Sequence, residues 1–226
     1  MPPRLALWMA WAALLIAGWQ GAGPVRAQSD DVAQMTPQQL VEQRCSACHG
    51  ADGNSTDAQF PKLAGQTVAY LAVQLDAYRS GARHSDVMSP QATGLSDAQI
   101  IGVSRFYAMQ PAKGDAVTDQ ALAANGERVF FSSRRGIPPC AACHNGGGHG
   151  PMAMMQGQGM MGMMGMGMMG NMGPVPKLNG QHAAYIVSQL DAFIAGTRPS
   201  SVMHTIATTL SETDRKAVAR YLSGLH

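Results

Sequence analysis

Apolar positions along the chain fall into helical registers. Val68, Leu71, Ala72, Leu75 and Tyr78 recur at the spacing that lines one face of a helix. Tyr185, Leu190, Phe193 and Ile194 do the same less regularly. Thr36-Pro37-Gln38-Gln39 reads as a capping box with proline at the first helical position, leading into Leu40 and Val41. Ser96 stands before Ile100, Val103, Phe106 and Tyr107, and Ser211-Glu212-Thr213-Asp214 stands before Val218, Tyr221 and Leu222. Each predicts a capped helix. No segment alternates convincingly as a strand, so the pattern predicts an all-α protein.

The helical segments repeat. Pro61-Lys62-Leu63-Ala64-Gly65-Gln66 returns as Pro176-Lys177-Leu178-Asn179-Gly180-Gln181, an offset of 115. Ala69-Tyr70-Leu71 and Gln74-Leu75-Asp76-Ala77-Tyr78 return at the same offset, as do Gly81, Arg83, Val87-Met88 and Leu95-Ser96. Self-similarity on this scale predicts two copies of one unit. Gln110-Pro111-Ala112-Lys113-Gly114-Asp115 is the natural linker between them. The expected division is a signal peptide at 1–27, a first domain at 28–110, a linker at 111–118 and a second domain at 119–226. Each unit is near the size at which an apolar core alone is marginal.

The leader follows from its own pattern. Arg4 precedes an apolar stretch from Leu5 to Trp19, and Val25-Arg26-Ala27 offers small residues around a cleavage point before Gln28. Its 15 apolar residues fall short of the ~20 that span a bilayer, so no stable membrane insertion is expected after cleavage. Removing it takes away two arginines and leaves 14 basic and 14 acidic residues. A neutral chain excludes nucleic-acid binding by bulk charge. The 46% hydrophobic content excludes disorder throughout. Export implies an oxidising compartment, where cysteines are paired, modified or metal-bound.

All four cysteines lie in two identical motifs, Cys45-Ser46-Ala47-Cys48-His49 and Cys140-Ala141-Ala142-Cys143-His144. C-x-x-C-H is the attachment motif for haem c: two thiols add across the two vinyl groups, and the histidine reaches the iron. A redox dithiol would need a βαβ setting, which is absent. One structural zinc would need closer pairs than Cys48 and Cys140, which have 91 residues between them. Structural disulfides give no reason for a histidine after both pairs. Each unit is therefore expected to wrap around one covalent haem c.

The repeat also screens the second axial ligand. Met88 maps onto Met203, whereas Met109 maps onto Gly224 and no histidine outside the motifs recurs. Both methionines are expected in loops before the terminal helix, with His204 the rival of Met203. Methionine opposite histidine suits an electron carrier.

These residues together resemble the dihaem class I cytochromes c of the c-four type, over residues 35–226. The resemblance implies two tandem all-α cytochrome c domains, packed with their haems near each other, shuttling electrons in the bacterial periplasm, commonly to terminal oxidases. It implies attachment at Cys45, Cys48, Cys140 and Cys143. Proximal ligation would fall to His49 and His144, and distal ligation to Met88 and Met203. The carbonyls of Pro61 and Pro176 would accept the ring N–H of the two proximal histidines.

One segment departs from the family pattern. The haem motifs are offset by only 95, so 20 extra residues lie between His144 and Pro176. They coincide with a Met/Gly-rich insertion at 152–172, which holds eleven methionines and no charge. It reads as a flexible low-complexity loop, as a Cu(I) site built of thioethers, or as an adaptable docking patch. The expected function is electron transfer between redox protein partners, without catalysis. A dihaem peroxidase or sulfur-compound dehydrogenase, or a cytochrome subunit of a dehydrogenase or oxidase complex, are the alternatives.

Overall fold

A computed structural model describes residues 32–134, 136–144 and 174–226. The leader and the Met/Gly-rich insertion lie outside the described residues, as do the readings that rest on them. The described residues hold helices and no strand, with one isolated bridge between Arg134 and Ile137. None of these helices is long and apolar enough to cross a membrane.

The first half begins with α1 (Pro37–Leu40). Thr36 Oγ1 accepts from the Gln39 N–H, and the Gln39 side chain accepts from the Thr36 N–H, so the capping box is complete. The helix passes through a π-helical turn, Val41–Cys45, and resumes as α2 (Ser46–His49). α3 (Val68–Ser80) is capped by Thr67 and ends at Gly81, whose φ of 80° only glycine adopts freely. A short α4 (Met88–Ala92) leads to α5 (Asp97–Ala108), opened by a Ser96/Gln99 capping box. Gln99 Nε2 also donates to the carbonyls of Val32 and Met35, which ties the incoming chain to α5.

The second half repeats this order with a different entry. α6 (Gln120–Phe131) is capped by Asp119 and separated from α7 (Ala141–His144) by a non-helical connection. Then follow α8 (Ala183–Ile194), α9 (Ser201–Ala207) and α10 (Glu212–Ser223), the last opened by a Ser211/Asp214 capping box.

Each half closes by crossing its first and last helices around its own apolar cluster. Leu40, Val41, Leu71, Leu95, Ile100, Val103 and Tyr107 form the first cluster. Val129, Phe130, Ile186, Leu190, Phe193, Val218 and Leu222 carry most of the second. A glycine lets each crossing close. A Cβ on Gly102 of α5 would stand 2.3 Å from Pro37 Cγ, and one on Gly126 of α6 would stand 1.9 Å from the Ala217 carbonyl oxygen.

The halves meet through bonds that obey the internal repeat. Gln66 Oε1 accepts from the Lys177 N–H and its Nε2 donates to the Lys177 carbonyl, at 3.0 and 2.8 Å. Gln181 treats Lys62 the same way, at 2.9 Å for both bonds. Arg83 reaches Gln189 while Arg198 reaches Gln74 and Tyr70. A short strap after α5 is held too: Asn54 Nδ2 donates to the Pro111 carbonyl, Lys113 N–H donates to Asn54 Oδ1, and Asp115 N–H donates to the Ser223 carbonyl.

Candidate haem sites

The helical backbone sets the reach of each C-x-x-C-H motif. In the first half Cys45 closes the π-helical turn, and Cys48 and His49 lie on α2. In the second, Cys140 stands just before α7, which carries Cys143 and His144. All four thiols are unpaired and partly buried. Cys45 and Cys140 pack at the edges of the two apolar clusters. Burial pushes the Cys45 thiol up to about 11, with Arg44 pulling weakly the other way, and burial raises Cys140 too. A dithiol redox centre needs a lowered thiol instead. Among the described residues no three His, Cys, Asp or Glu side chains converge.

The imidazoles are set for coordination. His49 is 5% exposed, and its Nδ1 lies 2.8 Å from the Pro61 carbonyl oxygen. His144 Nδ1 lies 3.0 Å from the Pro176 carbonyl oxygen. A carbonyl only accepts, so each ring carries its hydrogen on Nδ1. Burial pushes both rings below the usual histidine range, outweighing the carbonyl bond that opposes it. Each is thus neutral with Nε2 bare, the form that binds a metal. The donor set fits haem c: two thiols within one turn, and an imidazole whose free nitrogen is fixed by its other one.

Met88 and Met203 occupy equivalent, partly buried positions, but not in loops as the sequence predicts. Met88 opens α4 and Met203 lies inside α9. The reason is local. Ser85 Oγ accepts from the Met88 N–H and Ser200 Oγ accepts from the Met203 N–H, so a serine three residues earlier starts a helical turn in each case. Pro90 is tolerated because it falls in the first turn of α4, where no intrahelical N–H is needed. Met203 packs against the second apolar cluster. His204, its rival, is exposed, with Nδ1 bonded to the Phe193 carbonyl. Met109 is 78% exposed. The S-x-x-M spacing was readable in the sequence and is the signal that locates these turns.

Two helical units, each built around a C-x-x-C-H turn with a proline carbonyl behind its histidine, define a class I cytochrome c architecture. Residues 35–109 match the family profile for cytochrome c. The whole-chain comparisons are more specific. The chain is 36% identical to cytochrome c4 of Pseudomonas aeruginosa, over 80% of this chain and 84% of that protein. It is 36% identical to a thiosulfate dehydrogenase electron acceptor of Thiomonas intermedia, over 79% of this chain and 77% of that one. Its structure resembles that of reduced recombinant cytochrome c4 from Pseudomonas stutzeri with a TM-score of 0.68 and 33% identity, over 84% of this chain and 97% of that chain. The chain belongs to the cytochrome c4 family, the dihaem electron-transfer cytochromes, and its cofactors are two haem c groups.

Proposed function

We propose that each half of the protein holds one haem through its own four residues. Cys45 and Cys48 would form the thioethers of the first, and His49 and Met88 would hold its iron. Cys140 and Cys143 would do the same for the second, with His144 and Met203. The haem supplies a one-electron Fe(III)/Fe(II) couple when bound. The chain's residues keep that couple free of substrate chemistry. Pro61 and Pro176 hold each proximal ring in one tautomer. The serine-started turns would supply a thioether to each iron, and the apolar clusters would exclude water.

The observation that carries this reading is the duplicated lock of an imidazole on a proline carbonyl. Absorption and magnetic spectroscopy on the oxidised protein tests it: two low-spin His/Met centres are expected. A high-spin ferric site that takes up peroxide or cyanide at once would favour the enzyme reading.

The domain division follows: a leader at 1–27, a first domain at 28–110, a strap at 111–118 and a second domain at 119–226. With the leader removed, the protein works in the periplasm as a carrier between a respiratory donor and a terminal oxidase. The likeness to a thiosulfate dehydrogenase electron acceptor favours a sulfur-compound dehydrogenase as the donor. Stopped-flow reduction of the oxidised cytochrome by such a dehydrogenase with its substrate checks this. Reduction no faster than by substrate alone would remove that donor.

A further inference from the structure

Beyond each methionine the two halves carry the same short run. An alanine stands four positions on and a leucine seven: Ala92 and Leu95 after Met88, Ala207 and Leu210 after Met203. Both alanines end their helices and are fully buried, and both leucines are buried too. The Leu95 N–H donates to the Ala92 carbonyl at 3.2 Å, and the Leu210 N–H donates to the Ala207 carbonyl at 3.1 Å. α4 and α9 are thus hooked at their C-terminal ends to a buried leucine.

An arginine fixes the carbonyl of that leucine in each half, but not the same arginine. In the first half Arg79, on α3, donates from Nη1 to the Leu95 carbonyl at 2.8 Å and from Nη2 to Asp76 Oδ1 at 2.5 Å, with Asp97 Oδ1 at 2.7 Å as a further partner. In the second half Arg215, on α10, donates from Nη1 to the Leu210 carbonyl at 3.0 Å, and its Nε lies 2.8 Å from Asp191 Oδ1. Leu95 is the repeat equivalent of Leu210, and Asp76 of Asp191. The arginines are not equivalent: Ile194 stands at the position of Arg79, and Ile100 at the position of Arg215. The same carboxylate and the same carbonyl are bridged twice, once from the helix that carries the carboxylate and once from the helix that follows the leucine.

A bridge rebuilt from the other side marks the contact, rather than the residue, as what each half requires. A guanidinium suits it, because its rigid fork serves two acceptors at once. The place of the bridge gives the requirement. Ser85 and Ser200 fix the start of each methionine helix, and the bridged leucine fixes the chain just beyond its end. Between those points a close-packed alanine leaves the helix no room to slide.

We propose that Arg79 and Arg215 are the positioning residues of the two distal methionines, each holding its helix so that the thioether stays on its iron and other ligands stay off. The inference rests on Met88 and Met203 being those ligands. Each arginine acts through the leucine carbonyl and the helix before it, so neither is a catalytic residue.

Cyanide uptake by the oxidised holoprotein tests it, followed haem by haem through the NMR signal of each ligating methionine methyl. In Arg79→Ile the first haem is expected to take up cyanide about tenfold faster than in the parent, the effect of one lost hydrogen bond from a charged group, while the second haem keeps the parent rate. Arg215→Ile should reverse that pattern. Adding Ile194→Arg to Arg215→Ile moves the first half's arrangement into the second, and should return the second haem toward the parent rate. Arg79→Lys and Arg215→Lys, which keep the charge but lose the fork, stand in for any isoleucine variant that fails to fold, with a smaller acceleration at the same haem. Unchanged uptake in the mutated half, equal acceleration at both haems, or a double variant as fast as Arg215→Ile overturns the proposal, whatever happens to thermal unfolding. An error in the ligand set would show separately, as a missing methionine methyl signal in the unmutated protein.

Discussion

The two halves share α3 with α8, α4 with α9 and α5 with α10, yet they deliver their haem motifs differently. In the first, a capped helix runs through a π-helical turn straight into Cys45 and on to His49. In the second, α6 ends at Phe131, and a non-helical connection with the Arg134–Ile137 bridge intervenes before Cys140. The lock behind the histidine is the same in both, although Pro61 lies 12 positions after His49 and Pro176 lies 32 after His144. A loop can lengthen while its ends stay fixed, because closure entropy rises only with the logarithm of length. What stays constant is therefore the pair of anchoring points, and what drifts is the chain between them.

The sharpest way to break this equivalence is to remove one haem at a time. Replacing Cys45 and Cys48 with Ser, or Cys140 and Cys143, is expected to halve the covalent haem content, which mass spectrometry and haem absorbance measure. If either pair of substitutions abolished both haems, the halves would not be independent centres. Next in size are the two methionines proposed as distal ligands. Met88→Ala and Met203→Ala should each convert one low-spin centre to high-spin and lower that haem's potential, leaving the other unchanged, as redox titration would show.

The helix crossings should respond unequally. In Gly126→Ala the new methyl meets a backbone carbonyl, which cannot move alone, whereas in Gly102→Ala it meets the ring of Pro37, a side chain in the first turn of a short helix. Thermal unfolding is expected to show a loss of about 3 kcal/mol for the first and nearer 1 kcal/mol for the second. The seam should respond equally, because it obeys the repeat. Gln66→Ala and Gln181→Ala each strand a backbone N–H and carbonyl of the opposite lysine, for about 1–2 kcal/mol apiece in denaturant titration.

The smallest effect is a pH dependence confined to the first half. Bonds from Lys113 and Asn54 lower the Asp52 carboxyl to about 2. Its folded value lies below its unfolded one, so its contribution is complete above the unfolded range near pH ~4. It is lost as pH falls through about 2. The pair is largely exposed, so the amount should stay under about 1 kcal/mol, and Asp52→Asn should flatten the acid limb of the stability curve slightly.

Much of this was legible in the sequence. The capping boxes at Thr36, Ser96 and Ser211 form as their spacing predicts, because a cap needs only residues three apart. In each C-x-x-C-H motif the second cysteine and the histidine share one short helix. Less was legible where two weak signals competed. The short helices under Met88 and Met203 were hidden by the nearby Pro90 and by serines that also suit loops. α6 carries only a lone Asp119 cap, with its buried apolar side chains grouped late at Val129 and Phe130. The π-helical turn leaves no compositional trace.

The sequence by itself determined the all-α class, the doubling and the attachment motifs, and the family resemblance implied the proline behind each histidine. Those properties depend on neighbours along the chain or on identity between its copies. Only the tertiary structure decided that Gln66 grips Lys177, that glycines on opposite helices allow the two crossings, and that His182 crosses the seam to Ser55 and Asp115. A hydrogen bond or an electrostatic field acts over a few ångströms, and residues more than a hundred positions apart come within that range only when packing brings them there.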